Sequence, residues 1–386
     1  MSGPLEIGFI PLVDAASLIV AVDKGFAAEE GLEVNLVREV SWSNVRDKLN
    51  IGLFDAAHLL APVAIASSLG IGHVRVPIAA PFNLGINGNA ITVSPSLHAA
   101  ILGEIDGDRY DPMATARALA RVVAARRKRD AEPLTFAMTF PFSTHNYQLR
   151  FWMAVGGINP DEDVRMVVLP PPFMADSLVG GQVDAFCVGA PWNSIAVDRG
   201  VGHILHFVSD ILVRAAEKVL AVRQSWSERN PEIVAALVRA TARGAAFVEE
   251  NHEETAHVLA RPDRVGVEPD IIRRTLDGHL KISPDGSMRQ SGRYLLVGRE
   301  DAARPDPVQA AWLYAQMARW GQTSLSKDAL RTAMATFRPD LYDAALGKGG
   351  RTAPPAPGAF AAFAGPAFDP EDISGYLASF DVAKRA

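Results

Sequence analysis

Two stretches decide the fold: KLNIGLFDAAHLLAP, Lys48 to Pro62, and SLVGGQVDAFCVGAP, Ser177 to Pro191. Leu49, Gly52, Asp55 and Ala56 align without a gap with Leu178, Gly181, Asp184 and Ala185, about 130 residues further on. Each copy reads as a helix ending near Leu-x-x-Gly, followed by an apolar strand that opens with Asp-Ala. Upstream of each lies a matching unit: LEIGFIPLVDAASLIVAVDKGF before the first and LTFAMTFPFSTHNYQLRFWMAVGGI before the second. Both predict an apolar strand, a Pro-containing loop, a helix of about three turns and a terminating Gly. A further strand follows in each, LEVNLVRE or VRMVVLP. The chain thus carries a β-α-β-α-β module twice, which predicts two similar α/β lobes with parallel sheets.

Between the modules, NGNAITVSPSLHAAI predicts a strand crossing from one lobe to the other, and Asp111-Pro112 opens a helix through YDPMATARALARVVAARRKR. The chain is expected to cross back through VGHILHFVSDILVRAAEKVLAV. The expected division is residues 1–90 plus 208–386 in one lobe and 91–207 in the other. The remainder reads as helical, beginning with Asn230 as N-cap and Pro231 at the first helical position of one long helical stretch. GKGGRTAPPAPGAFAAFAGPAF predicts an extended tail. Two lobes joined by two crossings create a cleft, the default place for a small ligand.

Of 386 residues, 48% are hydrophobic and 21% charged, which fits a folded interior and excludes a disordered chain. A net charge of −6 argues against a nucleic-acid surface. The basic run AARRKRD, Ala124 to Asp130, reads as a solvated helix end. With Cys187 as the single cysteine there is no intrachain disulfide, and its apolar setting suggests a buried, inert thiol. The start, MSGPLEIGFIPL, lacks a secretory pattern and no segment reaches the roughly 18 apolar residues of a membrane helix, so the expected address is cytoplasmic.

Catalytic signatures are missing: no Walker A loop, no G-x-S-x-G elbow and no H-E-x-x-H. His203 and His206 have no partner ligands nearby in sequence, so neither a metal nor a cofactor is expected. In TFPFSTHNYQLRFWMAVGG, Thr139 to Gly157, the residues Ser143, Thr144 and His145 stand where a strand becomes a helix. They read either as an ordinary cap with an exposed histidine or as an anion site at a helix N-terminus. Trp42, in a loop just ahead of a helix, Asn87 and Asn89 at the first crossing, and Lys218 at the return add a flat wall, amides and a cation. Each also has a bland reading, as core, turn or solvated charge.

Taken together, GFIPLVDAASLIVAVDKGF, SWSNVRDKLNIGLFDAAHLLAP, NGNAITVS, FPFSTHNYQLRFWMAVGGI, VDAFCVGAPWN and EKVLAVRQSW resemble the nitrate-binding family of periplasmic binding proteins, and within it the cytoplasmic NasS-type nitrate/nitrite sensors. The resemblance implies a two-lobed, type II Venus-flytrap fold, non-catalytic, with nitrate held between the lobes. Carried over by motif, the ligand set is Trp42, Asn89, His145 and Lys218, completed by Thr144 and Gly189. It also implies a protein partner, an ANTAR-type RNA-binding antiterminator released on ligand binding. Two alternatives stand beside this: the binding subunit of an ABC importer for nitrate or a related small anion, and an enzyme resembling thiamine-pyrimidine synthases. Asn89 stands where transport members often have glutamine, and Ala190 where the family commonly has the glutamate of V-G-E-P-W.

Overall fold

Leu5–Phe9 (β1) pairs in parallel with Val34–Arg38 (β2) on one side and with Ala56–Leu60 (β3) on the other. The second module repeats this: Thr135–Met138 (β6) lies parallel to Arg165–Val168 (β7) and to Ala185–Gly189 (β8). The structure is a computed structural model describing residues 3–347 and 361–382.

The repeated residues do the same work in both modules. The Asp55 N–H donates to Glu6 O at 2.9 Å while its Oδ2 accepts the Glu6 N–H at 3.1 Å. Asp184 does the same with Thr135, at 2.8 Å for both bonds. Each aspartate therefore pins the start of a third strand to the start of the first, satisfying backbone groups at the strand ends. Gly52 and Gly181 take φ of +87° and +64°, a left-handed conformation that lets the chain turn from helix to strand.

The sheets are mixed rather than parallel, which corrects the expectation. Ile78–Asn87 (β4) and Asn89–Val93 (β5) meet at Gly88; Ala216–Arg223 (β10) follows His203–Phe207 (β9). The crossing strands insert antiparallel: β10 between β3 and β4, and β5 between β8 and β9. The second sheet therefore runs β7-β6-β8-β5-β9. In the first, β2-β1-β3-β10-β4 gains Leu295–Leu296 (β13) at its edge. An antiparallel neighbour was legible only from the direction of the crossing, since alternation alone does not give strand sense.

Asn87 holds the first crossing at φ +62°: its amide donates to Val213 O and Arg293 O, both at 3.0 Å, and its Oδ1 accepts the Ala215 N–H at 2.9 Å. It is thereby committed to backbone, not to a ligand. Asp111 caps the helix Pro112–Lys128 as expected, accepting from Met113 and Ala114 N–H groups at 3.0 and 3.3 Å.

After residue 230 the expectation of helix throughout is only partly met. The long stretch breaks at Asn251 into Pro231–Glu250 and His252–Ala260, and Asn230 turns its amide back to Trp226 O at 2.9 Å instead of capping. A hairpin, His279–Lys281 (β11) with Met288–Gln290 (β12), and β13 interrupt the expected helices; as strands of two or three residues they leave no periodicity to detect. The expected tail falls largely on residues 348–360, outside the described residues. From Ala361 the chain packs on both lobes: Phe363 and Phe380 stack edge-on against Phe151, and Trp312 Nε1 donates to the Tyr376 hydroxyl at 3.1 Å.

Helix Pro231–Glu250 crosses helix Ala16–Asp23 at Gly244, where a Cβ would meet Ser17 O at 2.1 Å and Ala21 N at 3.0 Å. Backbone approaches that close leave no room for a methyl group. Gly244→Ala is expected to cost about 1–3 kcal/mol of stability by urea denaturation, although alanine is the better helix former.

Candidate functional site

The site is built where the ends of the two modules face each other. Ser143, not Thr144, is the N-cap of helix Thr144–Val155; its Oγ accepts the Asn146 N–H at 3.1 Å. That leaves Thr144 and His145 free to face the other lobe, and both are fully buried. The exposed-histidine reading is therefore excluded. Thr144 Oγ1 donates to Glu217 Oε2, and His145 Nδ1 lies 3.3 Å from Glu217 Oε1 and 3.1 Å from Thr139 Oγ1. Glu217 belongs to β10 of the first sheet, so these contacts join the lobes.

Adjacent strand residues point to opposite faces, yet Glu217 and Lys218 meet in one cluster. The cause is a pair of register shifts between β10 and β4 on either side of Lys218, a bulge that re-aims the side chains. Gly85 lies opposite Lys218 there, and its missing Cβ, which would stand 2.9 Å from Asp14 Cβ, makes room for Asp14. Lys218 Nζ lies 2.9 Å from Asp14 Oδ2 and 3.1 Å from Glu217 Oε1, and 5.5 Å from the centre of the Trp42 ring. None of the three charged groups is more than 2% exposed.

Burial works against each of these charges and pairing offsets it. For Asp14 burial alone would raise the carboxyl, but Lys218 and His58 bring it down to about 2. For Lys218 burial pulls down, and Asp14 with Glu217 more than reverses this, so the ammonium is raised. His58 accepts the Ile10 N–H on Nδ1 at 3.4 Å and turns Nε2 to Asp14 Oδ1 at 2.9 Å, the pattern of a neutral ring; burial lowers it. Burial likewise lowers His145, to about 4.

The structure brings together the six residues expected from sequence, with their setting changed. Trp42 is the first residue of helix Trp42–Ile51, not a loop residue, and is buried against His58 at 5.4 Å between ring centres. Lys218 is a buried strand residue, not a solvated one. Asn89 opens β5 and donates to Gln148 Oε1 at 3.4 Å. Gly189 ends β8; a Cβ there would lie 3.4 Å from Asn89 Oδ1 and 3.5 Å from Asp14 Oδ2, so glycine keeps the space between them free. Ala190 anchors the same corner through backbone alone, its O accepting the Val13 N–H and its N–H donating to Gly88 O, each at 2.9 Å.

Sequence reasoning missed four members: Asp14, His58, Gln148 and Glu217. Gln148 follows Thr144 by four residues on one helix face, and Glu217 adjoins Lys218; helical spacing reveals the first, but only the bulge reveals the second. Four buried atoms of this cluster have no partner: Trp42 Nε1, Asn89 Oδ1, His145 Nε2 and Gln148 Nε2. Leaving such groups unpaired costs about 1–3 kcal/mol each, so their concentration at one junction is the mark of a place built for a polar guest.

Cys187 and the remaining histidines of the motifs lie in ordinary packed settings. Cys187 is buried beside Gln148 and burial raises its thiol well above the usual value. His206 bonds Thr115 Oγ1 at 2.6 Å, and His203 stacks on His98 with ring centres 4.0 Å apart. Among the described residues no group of His, Cys, Asp and Glu is arranged to hold a metal, and no helix is long and apolar enough to cross a membrane.

A family model described as the NMT1-like family matches residues 2–261. The nitrate import ATP-binding protein NrtC of Synechocystis sp. is 32% identical over 388 residues, which is 98% of this chain but 55% of that protein, so the chain spans about half its length. The nitrate/nitrite binding protein NrtA of Synechococcus elongatus is 29% identical over 387 residues, 97% of this chain and 85% of that one. Among solved structures, the periplasmic nitrate-binding protein NrtA from Synechocystis matches with a TM-score of 0.86 at 26% identity, covering 98% of both chains. The fold is thus the two-lobed type II periplasmic-binding-protein architecture. These relatives are named for binding and import, not for catalysis.

Two measurements check the electrostatics. Lys218→Met leaves two buried carboxylates with hydrogen-bond partners but no positive counter-charge and is expected to cost about 3–5 kcal/mol in urea denaturation. The second is acid sensitivity. His145 and His206, the latter lowered by burial to about 3, stay neutral when folded but take a proton near pH 6.5 when unfolded. Stability is therefore expected to fall as pH drops from about 6.5 towards 4, by up to about 1.4 kcal/mol per pH unit for each histidine. Asp14 adds no slope in that window, because its contribution is fully present above its ordinary value of 3.8 and is lost between there and about 2.

Proposed function

This chain belongs to the NMT1-like family, and we propose that within it the protein is a non-catalytic solute-binding subunit that captures nitrate or nitrite between its lobes for an ABC importer. In this reading residues 1–90 with 208–386 form one lobe and 91–207 the other. Trp42, Asn89, Thr144, His145, Gly189 and Lys218 bound the ligand, with Gln148 as an added donor. The observation that carries the reading is the set of four unpartnered buried polar atoms at the lobe junction. Trp42 and Gln148 offer N–H groups. A planar, singly charged, weakly accepting ion is satisfied by a few donors and a flat ring; a tetrahedral dianion asks for more.

The importer takes precedence over the NasS-type sensor expected from sequence. The relatives are import and binding proteins, one described as periplasmic, and none of them supports an antiterminator partner or a cytoplasmic address. We accordingly place the protein's work outside the cytoplasm, delivering ligand to a membrane permease. Closure follows from contacts to both lobes: a ligand that touches Trp42 of one and His145 of the other favours the closed state by its differential affinity.

Isothermal calorimetry with nitrate, nitrite, bicarbonate and sulfate is the direct test. Nitrate or nitrite is expected to bind and sulfate not to. Trp42→Phe, which keeps the ring but removes Nε1–H, is expected to weaken nitrate by about 0.5–1.5 kcal/mol. Absence of heat with both nitrogen oxyanions, or unchanged affinity in Trp42→Phe and in Gln148→Leu together, would overturn the assignment.

A further inference from the structure

The charges of the cluster do not favour an anion as they stand. One ammonium, Lys218, faces two carboxylates, Asp14 and Glu217, all buried. His58 cannot redress this, because its Nδ1 is committed to accepting the Ile10 N–H and its Nε2 serves Asp14. A monoanion entering such a buried place adds a second uncompensated negative charge.

His145 supplies what is missing. Its Nδ1 faces the Glu217 carboxylate at 3.3 Å, and a lone pair directed at a carboxylate is repelled, so the proton of the neutral ring resides on Nδ1. Nε2 is then a bare acceptor, and it is one of the buried atoms with no partner. Facing an anion, a bare lone pair is the wrong group. With one more proton Nε2 becomes a donor to the guest, Nδ1–H and Glu217 become an ion pair, and the cluster returns to the single net negative charge it carries without the guest.

Resting on the reading that a small monoanion binds at this junction, we propose that it enters together with one proton, taken up on Nε2 of His145, so that affinity falls as pH rises. The groups facing His145 fit this scheme. Glu217 and Lys218 come from β10 and Asp14 from the turn after β1, while His58 from β3 and Cys187 from β8 act on these same charges. Of these, Cys187 keeps its proton because burial raises the thiol, and the two carboxylates favour a charged ring while Lys218 opposes it. Burial dominates and lowers His145 to about 4, so the ligand-free ring is neutral near pH 7 and the proton must arrive with the anion. Between that value and the higher one in the complex, linkage weakens binding by up to about tenfold per pH unit.

Calorimetry of the full chain with sodium nitrate at pH 6 and pH 8, each in two buffers of different ionisation enthalpy, counts the protons directly. The expected result is uptake approaching one proton per nitrate, with binding about 10- to 100-fold weaker at pH 8 than at pH 6. Glu217→Gln removes the charge that the proton offsets, and His145→Gln replaces the ring with a permanent neutral donor. Both are expected to bind nitrate with the pH dependence and the proton uptake reduced or lost. Nitrate binding by the native chain with no proton uptake and an unchanged Kd overturns this inference and leaves the assignment of the site standing. Uptake that persists at full size in His145→Gln also overturns it, by placing the proton elsewhere. No nitrate binding anywhere from pH 5 to pH 8 overturns the assignment itself and this inference with it. Should neither variant fold, the native proton count alone decides.

Discussion

Lys218 carries a full charge into the buried interior, and it is tolerable there because Asp14 and Glu217 meet it at 2.9 and 3.1 Å. A buried ammonium without such partners would lose its proton or unfold its surroundings. The pairing imposes order on everything near it. Asp14 fixes the turn after β1 and orients His58; Glu217 reaches over to Thr144 and His145 at the start of the opposite lobe's helix. One cation thus organises the face of the first sheet, and through a shared carboxylate it sets the relation of the two lobes. Glu217 occupies the positive end of a helix, the position that invites an anion.

The two lobes were legible because a repeated module leaves repeated chemistry. Asp55 and Asp184 are separated by more than a hundred residues, yet both stitch third strand to first with the same pair of backbone bonds, and Gly52 and Gly181 both permit the left-handed turn before it. Such local requirements can be read from residue type alone. The exchange of crossing strands was legible in position, since Gly88 marks it, but not in sense, because apolar alternation is the same in parallel and antiparallel strands. The short strands after residue 278 carried too few residues to announce themselves.

The site was legible in outline and misread in its electrostatics. His145 and Lys218 stand at the junction where their motifs placed them, but neither sits in the environment that sequence suggests. Ser143 does the capping that sequence left open between Ser143 and Thr144. Lys218 is engaged by carboxylates whose presence depends on a bulge in β10 and on the small side of Gly85, features written in register, not in residue order. Glu217 in particular adjoins Lys218 in sequence, where strand alternation assigns it to the far face. The difference matters for chemistry: where sequence suggests a free ammonium, the junction has a net negative frame of one ammonium and two carboxylates, and in the proposed reading recognition falls to its unpartnered donors and His145.

The central claim is that the polar junction of Trp42, Asn89, His145 and Gln148 holds a planar anion. A crystal structure of the protein grown with nitrate addresses it most directly. The expected result is a flat, three-lobed feature within hydrogen-bond distance of Trp42 Nε1, His145 Nε2 and Gln148 Nε2. Nitrate seated elsewhere in the protein, with these atoms still unpartnered or bonded only to one another, would contradict the account.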